Sequence, residues 1–501
     1  MIDLFRTNYR WNDDEVKLAS WLALICLALF AGITVSHFRY TPDDAYIYFQ
    51  YAKNLAHGKG FSFYGSTPSY GSTGPLWTVI LAGGPKLGIT PYAVAKSLDV
   101  AFSILAILAM YFLAREVLQS DSHAFLAASL FSLDGWFLRW SGSGMETSFA
   151  VFLAITGVYL FLSGRYVLCA TALSCLTLVR PEGGLLFGIV YAKFLIDSSR
   201  TQRPVFQRVA PAALYASVVG AWILFALWHF GRALPNAYSG KSGGIPNLTE
   251  IFHASFTIAK LWGTTQLPIV MVLIVRLVIA KNGQVWRGRI FLAAWVFSLP
   301  AFYVLDSVQI VSRYLLIATP FLILLGFVGV QDLCQSLRLD SLKIKIVFIA
   351  LASLTLVENQ ILYWVTIKPH LEDFVIGTND CLKPIGRWLR DNADTKALVF
   401  IPDVGIIGYY SDRRICDVGL ITPEIAKAFQ GRDYDSGMEQ RLYDVVLHPD
   451  YVVDRSPTPE RLKSSSMLPI MTKLFPGLGI TRDEVVYYTL YRVVKQQTSG
   501  H

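Results

Sequence analysis

Long apolar segments recur along the first three-quarters of this chain, and they constrain its fold more than any other feature. A helix of about 20 apolar residues crosses the hydrocarbon core of a bilayer, and several of these segments approach that length. The 501 residues are 53% hydrophobic and only 16% charged, with a mean hydropathy of +0.44. Because a soluble protein of this size carries more charge, the sequence predicts a polytopic α-helical membrane protein.

Hydropathy predicts about eleven membrane spans. The first is expected to be retained, because the region before it is long and carries both signs of charge, unlike a cleavable signal. Residues 75–90 are apolar but interrupted by Gly83, Gly84 and Pro85, so we expect an interfacial or re-entrant segment there, inside a long outer loop at 38–92. The predicted spans cover residues 18–35, 95–114, 123–138, 147–163, 166–180, 183–197, 209–230, 262–280, 289–305, 313–331 and 345–365.

Lysine and arginine are concentrated in one alternating set of short loops, which indicates the orientation of the chain. Positive loops face the cytoplasm, so the N-terminus is expected inside. An odd number of spans then puts the tail outside. The surplus of 44 basic over 36 acidic residues is attributed to this topology, and the bilayer, not a nucleic acid, is the partner that it indicates.

The tail is more charged than the rest of the chain, and its apolar runs are shorter. A helix at 384–393 and strands near 397–403, 413–418, 450–454 and 485–494 are expected between turns. The sequence thus predicts two domains, a transmembrane domain at 1–367 and an outer α/β domain at 368–501. Cys381 and Cys416 both fall in the second, and the sequence is compatible with a disulfide and with two free thiols.

An acidic pair, Asp43 and Asp44, follows the first span. From Asp43 the spacing predicts an amphipathic helix, capped by Thr41 and ended by Gly58 and Gly60. Acids in a first helical turn stabilise the helix dipole, and this structural role fits the pattern as well as a catalytic one. Carboxylates at a membrane boundary are costly unless they are solvated or used, which favours function. The expected apolar stripe is Ala45, Tyr48, Phe49, Ala52, Leu55 and Ala56, opposite Asp43, Gln50, Asn54 and His57.

The outer loop is also rich in aromatic residues. Rings and phenolic hydroxyls suit a sugar site, although aromatic residues also form the ordinary belt at a membrane interface. The residues concerned are Tyr46, Tyr48, Tyr51, Tyr64, Tyr70 and Trp77.

Several motifs occur in order along nearly the whole chain. They are DDAYIYFQYAKNLAHGKGF and GSTGPLW in the outer loop, SGMETSF (143–149), LVRPEGGLL (178–186), LPNAYSGKSG (234–243), SRYLLIATP (312–320) and IPDVGIIGYYSDRRICDVGLITPEIA (401–426). In this order they resemble GT-C-fold membrane glycosyltransferases. The most similar subgroup is the bacterial arabinofuranosyltransferases, which use polyprenyl-phosphate arabinofuranose as donor.

The resemblance implies an inverting transfer of one sugar, D-arabinofuranose, from a polyprenyl-phosphate donor to a glycan or protein acceptor outside the bacterial inner membrane. One of Asp43 and Asp44 is then the base, with Asp44 preferred. Donor phosphate is expected at Arg180, Lys241 and Arg313, and sugar hydroxyls at Glu146 and Glu182. Further substrate contacts are expected at Tyr46, His57, Tyr70 and Trp77.

Each of these residues also has a plain structural explanation. Arg180 can pair with Glu182 or with lipid, Glu146 and His57 can cap helices, Lys241 can be solvated, and Arg313 can snorkel. No cofactor is predicted. No DxD or HExxH motif indicates a metal site, and a divalent ion at the acidic pair has no support in the sequence.

Two other functions share a polytopic architecture. A transporter usually shows repeated halves and acids near the membrane midplane, and neither is clear here. An oligosaccharide ligase that uses a lipid-diphosphate donor is the alternative among enzymes.

Overall fold

Helices build the first part of the protein, and a mixed β-sheet follows them. The computed structural model describes residues 13–236, 246–279, 289–306, 310–419, 421–429, 433–479 and 485–494. The helices in this part of the chain are α1 (Asp13–Ser36), α2 (Asp43–Ala56), α3 (Pro75–Lys86), α4 (Pro91–Leu118), α5 (Asp121–Ser132), α6 (Gly135–Trp140), α7 (Thr147–Leu162), α8 (Tyr166–Val179), α9 (Gly183–Arg200), α10 (Val205–Phe230), α11 (Leu248–Gly263), α12 (Leu267–Ile279), α13 (Ile290–Leu305), α14 (Ser312–Leu315), α15 (Thr319–Ser336), α16 (Ser341–Asn392), α17 (Val404–Ser411), α18 (Pro423–Phe429), α19 (Tyr434–Glu439) and α20 (Leu442–Val446).

By length and composition, four of the described helices can cross a membrane, namely α4, α10, α15 and α16. Helices α11 and α12 pass the same test as a pair, although they meet at an angle of 109°. Shorter apolar helices lie at Ser20–Ser36 and at α7, α8 and α13. These apolar helices agree with the predicted membrane architecture. The described helices that are long and apolar enough to cross a membrane are fewer than the predicted total of about eleven spans.

Two of the predicted spans are interrupted helices. Within 123–138, two residues separate the end of α5 from the start of α6, because the Asp134 carboxylate accepts the Phe137 N–H at 2.8 Å and caps the new helix. Within 313–331, α14 is followed by a break before α15, which has Pro320 in its first turn. Proline suits the start of a helix but not its interior.

The predicted outer loop contains two helices. Helix α2 begins at Asp43 as expected, and Gly58 and Gly60 follow its end with φ of +74° and +73°. The prediction that Thr41 caps this helix was wrong. No side chain caps the helix, and the Thr41 hydroxyl instead accepts a hydrogen bond from the Lys96 ammonium group. Helix α3 has 12 residues, or about 18 Å at 1.5 Å per residue. It is too short to cross the hydrocarbon core.

Two residues of the expected polar face of α2 are buried, whereas His57 is exposed. Gln50 and Asn54 are each 3% exposed. Their amides donate to the backbone carbonyls of Ser62 and Phe63 at 2.9 Å. The loop that follows α2 folds back over this face, so the side-chain N–H groups of Gln50 and Asn54 pair with backbone carbonyls, while the Gln50 Oε1 atom is buried without a described partner.

A five-stranded sheet forms the core of the C-terminal region. Its order is β2-β1-β3-β5-β4, with β1 parallel to β2 and β3, and with β5 antiparallel to β3 and β4. Four of the five strands coincide with predicted segments. The fifth, β4, was not predicted. The strands are β1 (Leu398–Phe400), β2 (Arg414–Cys416), β3 (Tyr451–Ser456), β4 (Met467–Phe475) and β5 (Val486–Val493).

Helix α16 runs without interruption for 52 residues from the apolar region into the C-terminal region. The predicted division after residue 367 falls inside it, next to the π-turn Tyr363–Ile367. Cys381 and Cys416 are both buried free thiols. Their Sγ atoms donate to different backbone carbonyls, those of Lys473 and Val399.

Candidate functional site

A cavity of about 360 Å³ lies between the helices of the apolar region and the C-terminal sheet. Its walls come from the start of α2, the turn before α7, the turn between α8 and α9, helix α14, and the segments that follow β1 and β2. These segments are far apart in sequence. The cavity nevertheless brings together six of the eleven residues predicted to form the site: Asp43, Asp44, Glu146, Arg180, Glu182 and Arg313.

Asp44 forms an ion pair with Arg313, whose Nη2 lies 2.5 Å from the Asp44 Oδ2. The Arg313 side chain is only 10% exposed, and its guanidinium lies against the rings of Trp140 and Tyr314, with centroid distances of 5.2 and 5.4 Å. The Asp44 side chain is 49% exposed. Asp44 therefore presents a carboxylate to the cavity from a position that a fixed cation orients.

Asp43 has a different environment from its neighbour. Its two carboxylate oxygens accept the N–H groups of Gly405 and Ile406 at 2.8 and 2.7 Å, at the N-terminus of α17. Burial, and then the negative charge of Asp403, raise the pKa of Asp43 to about 7, against the lowering effect of these two N–H donors. Both oxygens are engaged, so Asp43 joins the outer loop to the C-terminal region.

The contact at Asp43 requires a glycine. A Cβ atom added to Gly405 would lie 1.9 Å from the Asp43 carbonyl oxygen. Glycine at this position lets the two helix starts approach closely enough for the hydrogen bonds to form.

Arg180 lies at the centre of a buried charged cluster. Its guanidinium donates to Glu146 Oε1 at 2.8 Å and to Glu182 Oε1 at 3.3 Å, and the Tyr303 hydroxyl donates to the same Glu182 oxygen at 2.5 Å. The Oε2 atoms of both glutamates and the Nε of Arg180 are buried and have no protein partner. Since buried polar atoms are normally paired, these three atoms are available to a polar ligand.

The C-terminal region supplies two carboxylates that the sequence reasoning missed. Asp403 follows β1 and Asp417 follows β2, and both line the cavity. Asp403 accepts Arg455 Nη1 at 2.9 and 3.0 Å and the Tyr488 hydroxyl at 2.5 Å. Because β1 and β2 are parallel, their carboxyl ends meet at one edge of the sheet, where ligands of α/β sheets commonly bind.

A signal for these two residues is present in the sequence. The pattern I-x-D-V-G occurs at 401–405 and again at 415–419. The first copy begins just after β1, and the second begins inside β2 and runs past its end. Two copies of one pattern at the ends of neighbouring strands, each with an aspartate, indicate that both carboxylates lie at one sheet edge.

The described lining of the cavity is strongly acidic. An anion would be attracted only to the side where the two guanidiniums lie, because planar arginine groups match phosphate oxygens. Among the described residues, no group of three or more histidine, cysteine, aspartate or glutamate side chains is arranged to hold a metal ion. The lining includes seven carboxylic acids, Asp43, Asp44, Glu146, Glu182, Asp306, Asp403 and Asp417, and two guanidiniums, Arg180 and Arg313.

Four residues predicted to contact substrate lie away from this cavity. Tyr46 packs against Phe49, with ring centroids 5.2 Å apart, and the His57 ring bonds to the Lys53 carbonyl at the end of α2. Trp77 is fully buried in the core, and Tyr70 lines a neighbouring cleft. The fifth, Lys241, lies outside the described residues.

Two buried residues of α4 hold the segments that carry the cavity acids. Lys96 donates to the Tyr40 carbonyl at 2.7 Å, just before the acidic pair. Asp99 accepts the Gly144 N–H at 2.9 Å, just before Glu146. One helix thus fixes the spacing between the two acid-bearing segments.

Comparison with solved structures identifies this architecture. ArnT from Cupriavidus metallidurans in the apo state matches with a TM-score of 0.58 and 12% identity, over 94% of this chain and 98% of that one. The same protein bound to undecaprenyl phosphate matches with a TM-score of 0.55 and 10% identity, over the same shares of the two chains. The chain has the GT-C fold.

A further GT-C neighbour, the oligosaccharyltransferase AglB from Archaeoglobus fulgidus, was solved with an inhibitory peptide and a dolichol-phosphate. It matches with a TM-score of 0.52 and 14% identity, over 87% of this chain and 69% of that one. Residues 375–496 match the family model described as Domain of unknown function (DUF8728). A search of curated protein sequences finds no significant match. At identities this low the likeness establishes the predicted GT-C fold, and the substrate is a separate question.

Proposed function

We propose that this protein is an inverting membrane glycosyltransferase that moves one D-arabinofuranose from a polyprenyl-phosphate donor to a glycan or protein acceptor. The observation that carries the proposal is the cavity in which Asp44 and Arg313 meet Glu146, Arg180 and Glu182. The undecaprenyl phosphate bound to ArnT and the dolichol-phosphate bound to AglB support a polyprenyl carrier. The sugar rests on the sequence motifs.

The chemistry needs one base and a site for a leaving phosphate. The acceptor oxygen forms a bond to the anomeric carbon and gives its proton to the base. The bond from that carbon to the phosphate oxygen breaks, and the phosphate leaves with the electron pair. A carboxylate serves as the base, and cationic donors stabilise the leaving charge.

Asp44 is the base in this proposal. Half of its side chain is open to the cavity, whereas both oxygens of Asp43 are held by backbone N–H groups. The Asp44 ion pair also gives a reason for ordered binding. A donor phosphate that binds Arg313 competes with Asp44 for the same guanidinium, so donor binding frees the carboxylate to accept a proton.

The Arg180 cluster is assigned to the donor head group. Glu146 and Glu182 each keep one unpartnered oxygen, and carboxylate oxygens accept hydrogen bonds from sugar hydroxyls. Arg180 is fixed between them and orients both. The reaction is placed on the outer side of the inner membrane, with residues 1–367 as the transmembrane catalytic domain and 368–501 as the outer domain.

The test is a transfer assay with purified full-length protein in lipid nanodiscs and radiolabelled polyprenyl-phosphate arabinofuranose. Asp44→Asn keeps the shape but removes the proton acceptor, so we expect kcat to fall by about 10²- to 10⁴-fold. Donor binding should persist, because the base contacts the acceptor. Asp43→Asn is the matched comparison: it loses one of the two N–H bonds to Asp43 but not the base, so its turnover should fall less than that of Asp44→Asn.

Three results would contradict parts of this proposal. Near-normal turnover of Asp44→Asn removes the base assignment. Transfer only from an oligosaccharide on lipid diphosphate makes the protein a ligase. Sugar movement across a liposome membrane without any transfer makes it a transporter.

A further inference from the structure

A second cleft of about 440 Å³ lies beside the cavity. It is formed by the loop after α2, the segment after α10, and the starts of β1 and β2. The residues that give it its chemistry are Tyr64, Tyr70, Phe230, Arg232, Arg414 and Glu424. The proposed transfer mechanism uses none of them.

The cleft and the cavity are neighbours that share one lining residue. Asn236 lines both, and its side-chain oxygen accepts Arg232 Nη1 at 2.8 Å. Strand β2 leads from one to the other, with Arg414 at the cleft and Asp417 at the cavity. Three residues at about 3.3 Å each separate these positions by about 10 Å. A chain of linked groups therefore reaches from the cavity into the cleft.

The cleft combines aromatic faces with charged hydrogen-bonding groups of both signs. The Tyr70 ring is stacked on Phe230 with centroids 4.4 Å apart, and the Trp222 indole donates to the Tyr70 hydroxyl at 2.9 Å. The Tyr64 hydroxyl donates to the Thr395 carbonyl. Aromatic bodies that are held in place at their polar tips, next to exposed donors and acceptors, suit a ligand with apolar ring faces and many hydroxyls.

A peptide is less well matched to this surface. A peptide that binds by strand addition needs a free sheet edge, and β2 is an edge strand. However, β2 has only three residues, shorter than the five or six that are typical of a strand. The ring faces and the charged side chains, not the backbone edge, dominate the cleft.

We propose that this cleft binds the acceptor, and that the acceptor is a glycan chain whose terminal sugar enters the cavity while the next sugars lie along Tyr64 and Arg414. The identification of the bound glycan as the acceptor rests on the proposed function. The glycan-binding site itself rests on the cleft alone.

The experiment measures glycan binding directly, without turnover. Full-length protein in nanodiscs is titrated into fluorescent hexasaccharides of arabinofuranan, mannan, galactan and glucan, and into a fluorescent peptide rich in serine and threonine, with anisotropy as the readout. The variants are Tyr64→Ala, Tyr64→Phe and Arg414→Ala. Arg390→Ala is the control, because Arg390 is exposed, lies outside the cleft lining and pairs with its neighbour Asp391.

At least one hexasaccharide should bind the wild type. Arg414→Ala should raise its Kd about tenfold, as expected for loss of a charge-assisted hydrogen bond. Tyr64→Ala should also weaken binding, Tyr64→Phe should retain it because the ring remains, and Arg390→Ala should bind as the wild type does. Undecaprenyl phosphate binding, measured in parallel, should be unchanged in every variant.

The proposal is overturned if no hexasaccharide binds, or if the cleft variants bind as tightly as the wild type. Binding of the peptide alone, with the same sensitivity to the variants, would replace the glycan with a protein acceptor. If glycans bind as expected but no donor sugar is ever transferred, the proposed transferase function fails while the glycan site stands. The two failures are therefore distinguishable.

Discussion

Arg180 neutralises two glutamates that would otherwise be buried as bare charges. The side chains of Arg180, Glu146 and Glu182 are 8%, 2% and 5% exposed. Removing one partner of a buried ion pair leaves an uncompensated charge, which costs about 3–5 kcal/mol. We therefore expect Arg180→Met to lower the free energy of unfolding by about that amount, measured by detergent-titrated unfolding in micelles.

Two variants make this stability test specific. Arg180→Lys keeps the charge but loses the planar guanidinium, so its free energy of unfolding should lie between those of Arg180→Met and the wild type. Arg390→Met removes an exposed arginine and should change stability by no more than about 0.5 kcal/mol. Equal stability of Arg180→Met and the wild type would mean that the cluster is not charged as described.

The raised pKa of Asp43 predicts a pH dependence of stability. Its value of about 7 in the folded protein exceeds the 3.8 of an unperturbed aspartate. The folded state therefore binds the proton more tightly, and this contribution is fully present below pH 3.8 and is lost as pH rises through 7. We expect the Tm difference between the wild type and Asp43→Asn to shrink between pH 4 and pH 8. A difference that grows over this range would contradict the raised pKa.

The starts of helices α2 and α17 approach each other closely at Asp43 and Gly405. Gly405→Ala would place a methyl group 1.9 Å from the Asp43 carbonyl oxygen, so the helices have to separate. We expect loss of the two N–H bonds to Asp43, faster cleavage of the C-terminal region in limited proteolysis, and a large fall in turnover.

Gly220→Ala is the matched control for this substitution. Gly220 lies in α10, and a Cβ added there meets nothing within 4 Å. Alanine also favours a helix more than glycine does by about 1 kcal/mol. The control should be as stable as the wild type or more stable, and equal proteolysis of both variants would contradict the contact between α2 and α17.

Helices and strands whose ends are set by nearby residues were predicted correctly from the sequence. Helix α2 starts at its two acids and ends before Gly58, because dipole and backbone preferences act within a few residues. Strand β4 was missed because Pro469 and Lys473 interrupt its pattern, and its ladder with β5 has an irregularity between Pro469 and Met471. The buried side of α2 was also missed, since the loop that covers it is held by tertiary contacts.

The site is assembled from both parts of the chain, the helical region and the C-terminal region. The membrane-side acids and arginines could be predicted from motifs at helix boundaries. Asp403 and Asp417 could not be placed in that way, because the docking of the sheet onto α2 brings them to the cavity. Trp77 and His57, also predicted to contact substrate, lie outside the cavity lining, one in the core and one at a helix end. Aromatic and histidine residues at an interface have several structural uses. Residue type alone therefore does not distinguish a core or helix-end residue from one that lines the cavity.

The proposed reaction requires the cavity to face outward, and the positive-inside pattern makes this testable. Ser66, Ser199 and Ser465 are exposed and are suitable for single-cysteine labelling after the six native cysteines are replaced. We expect Ser66→Cys and Ser465→Cys to react with an impermeant maleimide in intact cells or spheroplasts, and Ser199→Cys to react only after permeabilisation. The first two report the loop and sheet that enclose the site, and the third reports the loop after α9. Reaction of Ser199→Cys from outside would invert the predicted orientation, and the assignment of Asp44 to an outer active site would fail with it.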